Sequence, residues 1–221
     1  MVIELKNISK KYGKKEVLKN VSIQFEHEKL TVLLGENGAG KTTMLRIVSQ
    51  LESADAGTVT YFGEPLRQKA AHEIVGYVPQ DIALFEHMRV DENIACFKAL
   101  SKNPISDEEI DQYAAQLHLT ERKAKVSDLS GGTKRKVNLL IGLIDRPKVL
   151  ILDEPTVGID LKSRHDIHRL LNELKKTRLI ILTTHHLDEV DALADCIKII
   201  GKDPFYENVV QEKGWSYETL R

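Results

Sequence analysis

The sequence predicts an α/β fold around a mostly parallel sheet, and three observations carry that expectation. Short apolar runs alternate with segments of helical period after Val149, a glycine-rich turn joins another such run to a helix near Gly35, and strand signals fade between about Ile82 and Ile144. Such alternation builds parallel strands with helices on both faces, because each crossover must return along the sheet before the next strand begins.

The opening third is rich in strands and turns, with VIEL near Val2, VSIQF from Val21, TVLL from Thr31 and TVTYF from Thr58, so an N-terminal antiparallel β-subdomain is expected. TVLL is apolar throughout, the pattern of a strand covered on both faces, and leads into the turn and then a helix over TMLRIVSQL. In the middle, Ile94, Phe97 and Leu100 recur at helical spacing, and Ser106 with Glu109 forms a capping box before Ile110, Tyr113, Ala114 and Leu117. An α-helical subdomain is therefore expected at about 82–144, inserted into a core of 1–81 and 145–221, the whole being one domain over 1–221. From Val149 come a VLIL strand, a helix carrying Ile167, Leu170, Leu171 and Leu174, an LIIL strand, a short helix from about Leu187 and an IKII strand.

Composition removes several function classes. Lys and Arg total 32 against 33 Asp and Glu, so no general field gathers polyanions, and nucleic acid is not an expected partner. Lys134, Arg135 and Lys136, which open an amphipathic helix, read as a solvated face. The two cysteines, Cys96 and Cys196, match no metal spacing, and His165 with His168 lacks the further ligands that zinc needs. Phe25, Phe62, Phe85, Phe97 and Trp215 read as packing residues. The longest apolar runs fall short of the roughly 20 residues that span a bilayer, so any membrane role is expected to be peripheral.

The glycine-rich turn carries the chemistry. GENGAGKT, from Gly35 to Thr42, fits G-x-x-x-x-G-K-[ST] between a strand and a helix, the pattern of a P-loop NTPase core. Glycines let backbone N–H groups surround phosphate oxygens, Lys41 brings charge to the β and γ phosphates, and the Thr42 hydroxyl can ligate Mg²⁺. Gly35, Glu36, Asn37, Gly38, Ala39, Gly40, Lys41, Thr42 and Thr43 are the expected cradle. VLILDEP then sets two carboxylates at the end of a buried strand, where open α/β sheets bind ligands. Asp153 is the expected Mg²⁺ holder, and Glu154 the group that polarises the attacking water.

LSGGTKRK, from Leu129 to Lys136, narrows the class. Ser130 and two glycines open an apolar-periodic helix, a second anion site at a positive helix end. With the other motifs it resembles the ATPase subunit of ABC transporters, a resemblance running from about Val2 to about Ile200, although Thr133 stands where glutamine is commonest. The resemblance implies that Ser130, Gly131 and Gly132 of one subunit close over the ATP held by a second copy or a homologous ATPase subunit. It further implies that Tyr12 stacks on adenine, Gln80 reaches Mg²⁺ and the attacking water, Asp160 touches the partner subunit, and His185, chosen over His186, contacts the γ phosphate. Lys41, Gln80, Glu154 and His185 are thus the expected catalytic set. Thr42, Gln80 and Asp153 are the expected metal set.

The same resemblance implies an ATP-hydrolysing subunit, cytoplasmic and peripheral at the inner face of the cell membrane, driving a separate integral membrane subunit. The stretch from Leu129 to Asp160 looks most like exporters. Two other readings stand beside it: a soluble ABC-type ATPase in DNA repair or translation, which normally brings a coiled coil or second ATPase domain, and a non-hydrolysing nucleotide switch, which needs no intact Glu154 and His185.

Overall fold

In the computed structural model, residues 2–66 and 68–220 are described, so the expected domain ends Met1 and Arg221 lie outside them. The chain opens with a hairpin, β1 (Val2–Tyr12) and β2 (Lys15–Glu26), and β4 (Ala56–Tyr61) later pairs antiparallel with the free side of β1. These strands are much longer than VIEL and VSIQF. Register shifts after Leu5 and Ile8, with Asn7 at φ 53°, break the period-2 alternation that would have revealed their length.

The second sheet is built from β3 (Leu30–Leu34), β5 (Val75–Val78), β6 (Val149–Asp153), β7 (Leu179–Thr184), β8 (Cys196–Ile200) and β9 (Tyr217–Leu220). Its order is β5-β6-β7-β3-β8-β9, and every neighbouring pair is parallel. The first of these strands in the chain, β3, therefore has later strands on both sides, the arrangement that opens a crevice at strand C-termini. Every residue of β3, β6 and β7 is buried. Each large aliphatic side chain so buried contributes roughly 1.5–3 kcal/mol, so a polar residue persists in these strands only with a partner.

Side chains alternate between two cores. Leu30, Val32, Leu34, Leu150, Leu152, Ile180 and Leu182 face one, and Leu33, Val149, Ile151, Leu179 and Ile181 face the other. The second core is closed by α1 (Lys41–Val48) and the antiparallel sheet, with α2 (Gln68–His72) contributing Ala71. The first is closed by α3 (Val90–Leu100), α4 (Asp107–Gln116), α5 (Gly131–Gly142), α6 (Leu161–Leu174) and α7 (Leu187–Leu193), with Val210 of α8 (Pro204–Glu212).

Helices α3, α4 and α5 lie between β5 and β6 in the chain. The Ser106 hydroxyl accepts from Glu109 N–H at 3.2 Å and the Glu109 carboxylate accepts from Ser106 N–H at 2.9 Å, the capping box its spacing predicts. Leu100 departs from expectation. It is 75% exposed at the end of α3, while Ile94 is buried, because the helix leaves the core within its last turn. Phe85 is exposed too, stacked on Phe97 with ring centres 6.0 Å apart, instead of lying in a core. Strand β5 escaped the sequence because Gly76 dilutes its pattern. A Cβ on Gly76 would lie 2.5 Å from the Gly142 carbonyl oxygen, and one on Gly142 would lie 2.5 Å from Val78 Cγ2, so the two glycines let β5 and α5 approach backbone to backbone.

The basic trio is not a solvated face. Lys134 pairs with Glu86 at 3.3 Å, Arg135 donates to the Gln80 carbonyl, and Lys136, 6% exposed, bonds the buried Asp166 of α6 at 2.7 Å. The helix rotates these cations towards acceptors on neighbouring segments, and His118 Nδ1 also meets Asp166 at 2.8 Å. Burial pushes the Asp166 carboxyl up, but Lys136 and His118 outweigh it and hold it below the ordinary aspartate range. Removing one member of a buried pair costs about 3–5 kcal/mol because the other is left uncompensated. Asp166→Ala is expected to lose stability of that order in urea unfolding at pH 7. A carboxyl with a lowered folded pKa stabilises above the unfolded value of 3.8, so the gap should close as pH falls through that region.

Candidate nucleotide site

The turn between β3 and α1 has the geometry of an anion cradle. Gly40 caps α1 at φ 102°, a left-handed conformation that side chains disfavour, and a Cβ on Gly35 would lie 2.0 Å from the Ile200 carbonyl oxygen. Lys41 Nζ donates to the Gly35 and Glu36 carbonyls at 2.7 and 3.0 Å. Burial pulls its pKa down, and Glu154, Asp153 and Glu36 push back in part. Glu36 faces away, accepting from Lys202 N–H at 3.1 Å.

A cavity of about 550 Å³ opens there, lined by Lys15, Val17, Asn37, Gly38, Gly40, Lys41, Thr42 and Thr43 on one side and by Gln80, Glu154, Val157 and His185 on the other. A larger cavity, about 810 Å³, lies behind the loop against β2 and β8. It shares Val17 and Gly38 with the first but holds none of Lys41, Glu154 or His185, which line only the smaller of the two.

Opposite the loop, β6 and β7 set the acids by register, with Asp153 paired to Thr183. The Thr183 hydroxyl donates to Asp153 Oδ1 at 2.6 Å and accepts from Glu154 N–H at 3.0 Å. Glu154 holds φ 46°, a strained value for a residue with a side chain, and this clamp helps hold it. Its carboxylate then meets Gln80 Nε2 at 3.5 Å and His185 Nδ1 at 3.3 Å. Tyr77 reaches Asp153 Oδ2 at 3.4 Å, and burial, with the charge of Asp153, pushes the phenol up to about 12. The His186 ring lies 4.1 Å from that of His185, but only His185 lines the cavity.

Tyr12 stands at the rim. Its strand partner Lys15 lines the cavity, while its hydroxyl bonds Glu52 at 2.6 Å and its ring is 45% exposed. Ser130, Gly131, Gly132 and Asp160 gather elsewhere. Ser130 caps α5, accepting from Thr133 N–H at 3.1 Å, and Asp160 caps α6, accepting from Ser163 N–H at 2.9 Å. A Cβ on Gly132 would lie 2.3 Å from Ser163 Oγ and 2.7 Å from Asp160 Oδ2, so these two helix starts are pressed together. Between the groups run two tethers from α5: Arg135 to the Gln80 carbonyl, and Asn138, which accepts from Ala83 N–H at 3.2 Å.

Sequence reasoning missed Thr183, Tyr77 and these tethers. Two threonines ending the otherwise aliphatic LIILTT were the available signal, since a fully buried hydroxyl must find partners.

The fold and this cavity define a P-loop nucleotide-binding cassette. The chain belongs to the ABC transporter family, whose profile matches residues 18–157, and is an ABC-type ATPase with an ATP-binding cassette. It is 37% identical over 209 residues to the linearmycin resistance ATP-binding protein of Bacillus subtilis, covering 91% of this chain and 67% of that protein. It is 39% identical over 206 residues to the Nod factor export ATP-binding protein I of Sinorhizobium fredii, covering 90% and 60%. The retinal-specific phospholipid-transporting ATPase of Bos taurus is 36% identical over 211 residues, 93% of this chain but 9% of that protein. Among solved structures, a dimeric bacterial ABC transporter cassette superposes with TM-score 0.80 at 24% identity, covering 90% of this chain and 94% of that one. No helix among the described residues is long and apolar enough to cross a membrane.

Two outcomes test the site. Lys41→Ala should lose most nucleotide affinity in a fluorescent-nucleotide titration, and unchanged binding would remove Lys41 from the cradle. Thr183→Val, which keeps shape and the backbone carbonyl that the Glu154 N–H also meets at 3.2 Å but takes the hydroxyl from Asp153, should cost about 1–3 kcal/mol in unfolding and slow phosphate release.

Proposed function

We propose that this chain is the hydrolytic subunit of an export-type ABC transporter, in which two ATPase subunits close head to tail around two ATP molecules and drive a separate membrane subunit. One observation supports this above others: Gln80, Glu154 and His185 converge on the cavity of the phosphate loop, whereas Ser130, Gly131 and Gly132 line no part of it and Gly132 lies against Asp160 and Ser163. A helix N-terminus with a hydroxyl and bare glycines suits a phosphate that its own loop does not reach, so a second copy completes the site. The dimeric state of the solved bacterial cassette agrees with this, as does that of a second solved cassette, a post-hydrolysis dimer bound to ADP and Pi. The export reading draws on the Nod factor and linearmycin relatives, of which this chain spans about two thirds or less.

Each residue has a task. Lys41 and the loop N–H groups bind the phosphates and Tyr12 stacks on the base. Glu154 accepts a hydrogen bond from the attacking water, and Gln80 and His185 hold that carboxylate and the terminal phosphate in line. Thr42, Gln80 and Asp153 offer only oxygen donors, and Asp153 Oδ2 has just one long contact, so the set suits Mg²⁺. Bound there, Mg²⁺ would neutralise charge on the phosphates.

Power comes from differential affinity. A near-complete switch between open and closed subunits needs about 5.5 kcal/mol of preference for one state, which two composite sites can supply. The region 82–144 is the proposed lever, turning on the core of 1–81 and 145–221, and the segment from Gln80 to Leu100, with exposed Phe85 and Leu100, is its docking face for the membrane subunit. Such a subunit works at the cytoplasmic face of a membrane. The consumption of Lys134, Arg135 and Lys136 by intramolecular contacts disfavours nucleic acid as partner.

Glu154→Gln decides. It should bind ATP, lose turnover, and elute as a dimer with Mg-ATP on a sizing column. A stalled variant that stays monomeric would defeat the head-to-tail reading, and one that hydrolyses at the parent rate would remove Glu154 as the base.

A further inference from the structure

Behind His185 lies a set of buried polar side chains that the proposed cycle leaves unused. Glu189, 1% exposed, sits in the first turn of α7, four residues after His185. Its Oε1 accepts from the Thr156 hydroxyl at 2.8 Å, and Thr156, equally buried, stands two residues after Glu154. From α6, His168 Nε2 approaches the same oxygen at 3.4 Å, while Glu189 Oε2 and His168 Nε2 are buried with no hydrogen-bond partner. One turn earlier on α6, Arg164 bonds Asp188 at 2.5 Å.

Three segments therefore meet at one carboxylate: the loop leaving Glu154, the helix capped by Asp160, and the helix that comes after His185. We infer that Glu189 is a positioning residue for hydrolysis, holding His185 in register with Glu154 through Thr156 and linking that alignment to α6. Helix α7 has only seven residues and no side-chain cap at His186, so its placement depends on tertiary contacts. Its polar bonds to α6, from Arg164 to Asp188 and from Asn172 to the Ala192 carbonyl at 3.3 Å, are partly solvated and contribute little, whereas the Thr156–Glu189 bond that ties α7 to the acidic loop is fully buried. An apolar side chain would fill the space more cheaply, but it could not tie the acidic loop to α7. Because α6 begins beside Gly132, a shift of its N-terminus on closure of the second subunit is carried to His185 by this junction.

The inference rests on Glu154 and His185 acting together, and the test separates the two ideas. Thr156→Val, Thr156→Ser and Glu189→Ala are made alone and in a His185→Ala background, with kcat, ATP affinity and thermal midpoint measured for each. Thr156→Val and Glu189→Ala should lower kcat roughly tenfold or more with ATP affinity unchanged, since a misplacement near 1 Å can cost 100-fold. Thr156→Ser, which restores the hydroxyl, should keep the parent rate, and neither loss should recur once His185 is gone. Should Thr156→Val slow both backgrounds equally, or lower ATP affinity as much as kcat, Glu189 does not act through His185 and the positioning role falls. Should His185→Ala itself hydrolyse at the parent rate, the catalytic pairing falls and this inference with it. Thr156→Val keeps the side-chain volume, so the answer does not depend on Glu189→Ala folding.

Discussion

Side-by-side alignment of β3, β6 and β7 governs this molecule. In that register Leu34 stands opposite Thr184 and Asp153 opposite Thr183, so the glycine-rich loop, the two acids and His185 all leave the sheet at one level. The constraint is maintained by burial on both faces, since a slip of one residue would exchange the side chains that face the two cores.

Polar groups at those strand ends are held by each other. The Thr183 hydroxyl serves Asp153 and the Glu154 N–H, which steadies a backbone angle that Glu154 would otherwise avoid. Glu189 and Thr156 repeat the device one layer deeper. In a region with little water, each such bond is stronger than at the surface and its loss more costly, so preorganisation is concentrated where hydrolysis needs it.

The motif residues were legible because each depends on local chain chemistry. Glycines at Gly35 and Gly40 answer a close approach and a left-handed angle, and carboxylates ending an aliphatic strand announce themselves. Partners brought from a distance were not legible. Lys136 looked like surface charge because Asp166 lies 30 residues away on another helix, and Leu100 looked like core because periodicity does not say where a helix leaves its support. The β5 strand was hidden by Gly76, whose value lies in what presses against it. Sequence patterns record what a residue prefers locally, whereas these outcomes were decided by contacts between segments.

That pressing has a mechanical meaning. Gly142 makes room for the Val78 side chain and Gly76 for the Gly142 carbonyl, so β5 and α5 pack with almost no space between them. Arg135 and Asn138, on the same helix, hold the Gln80 segment, so a side chain that forced β5 and α5 apart would displace Gln80 from Glu154 as well.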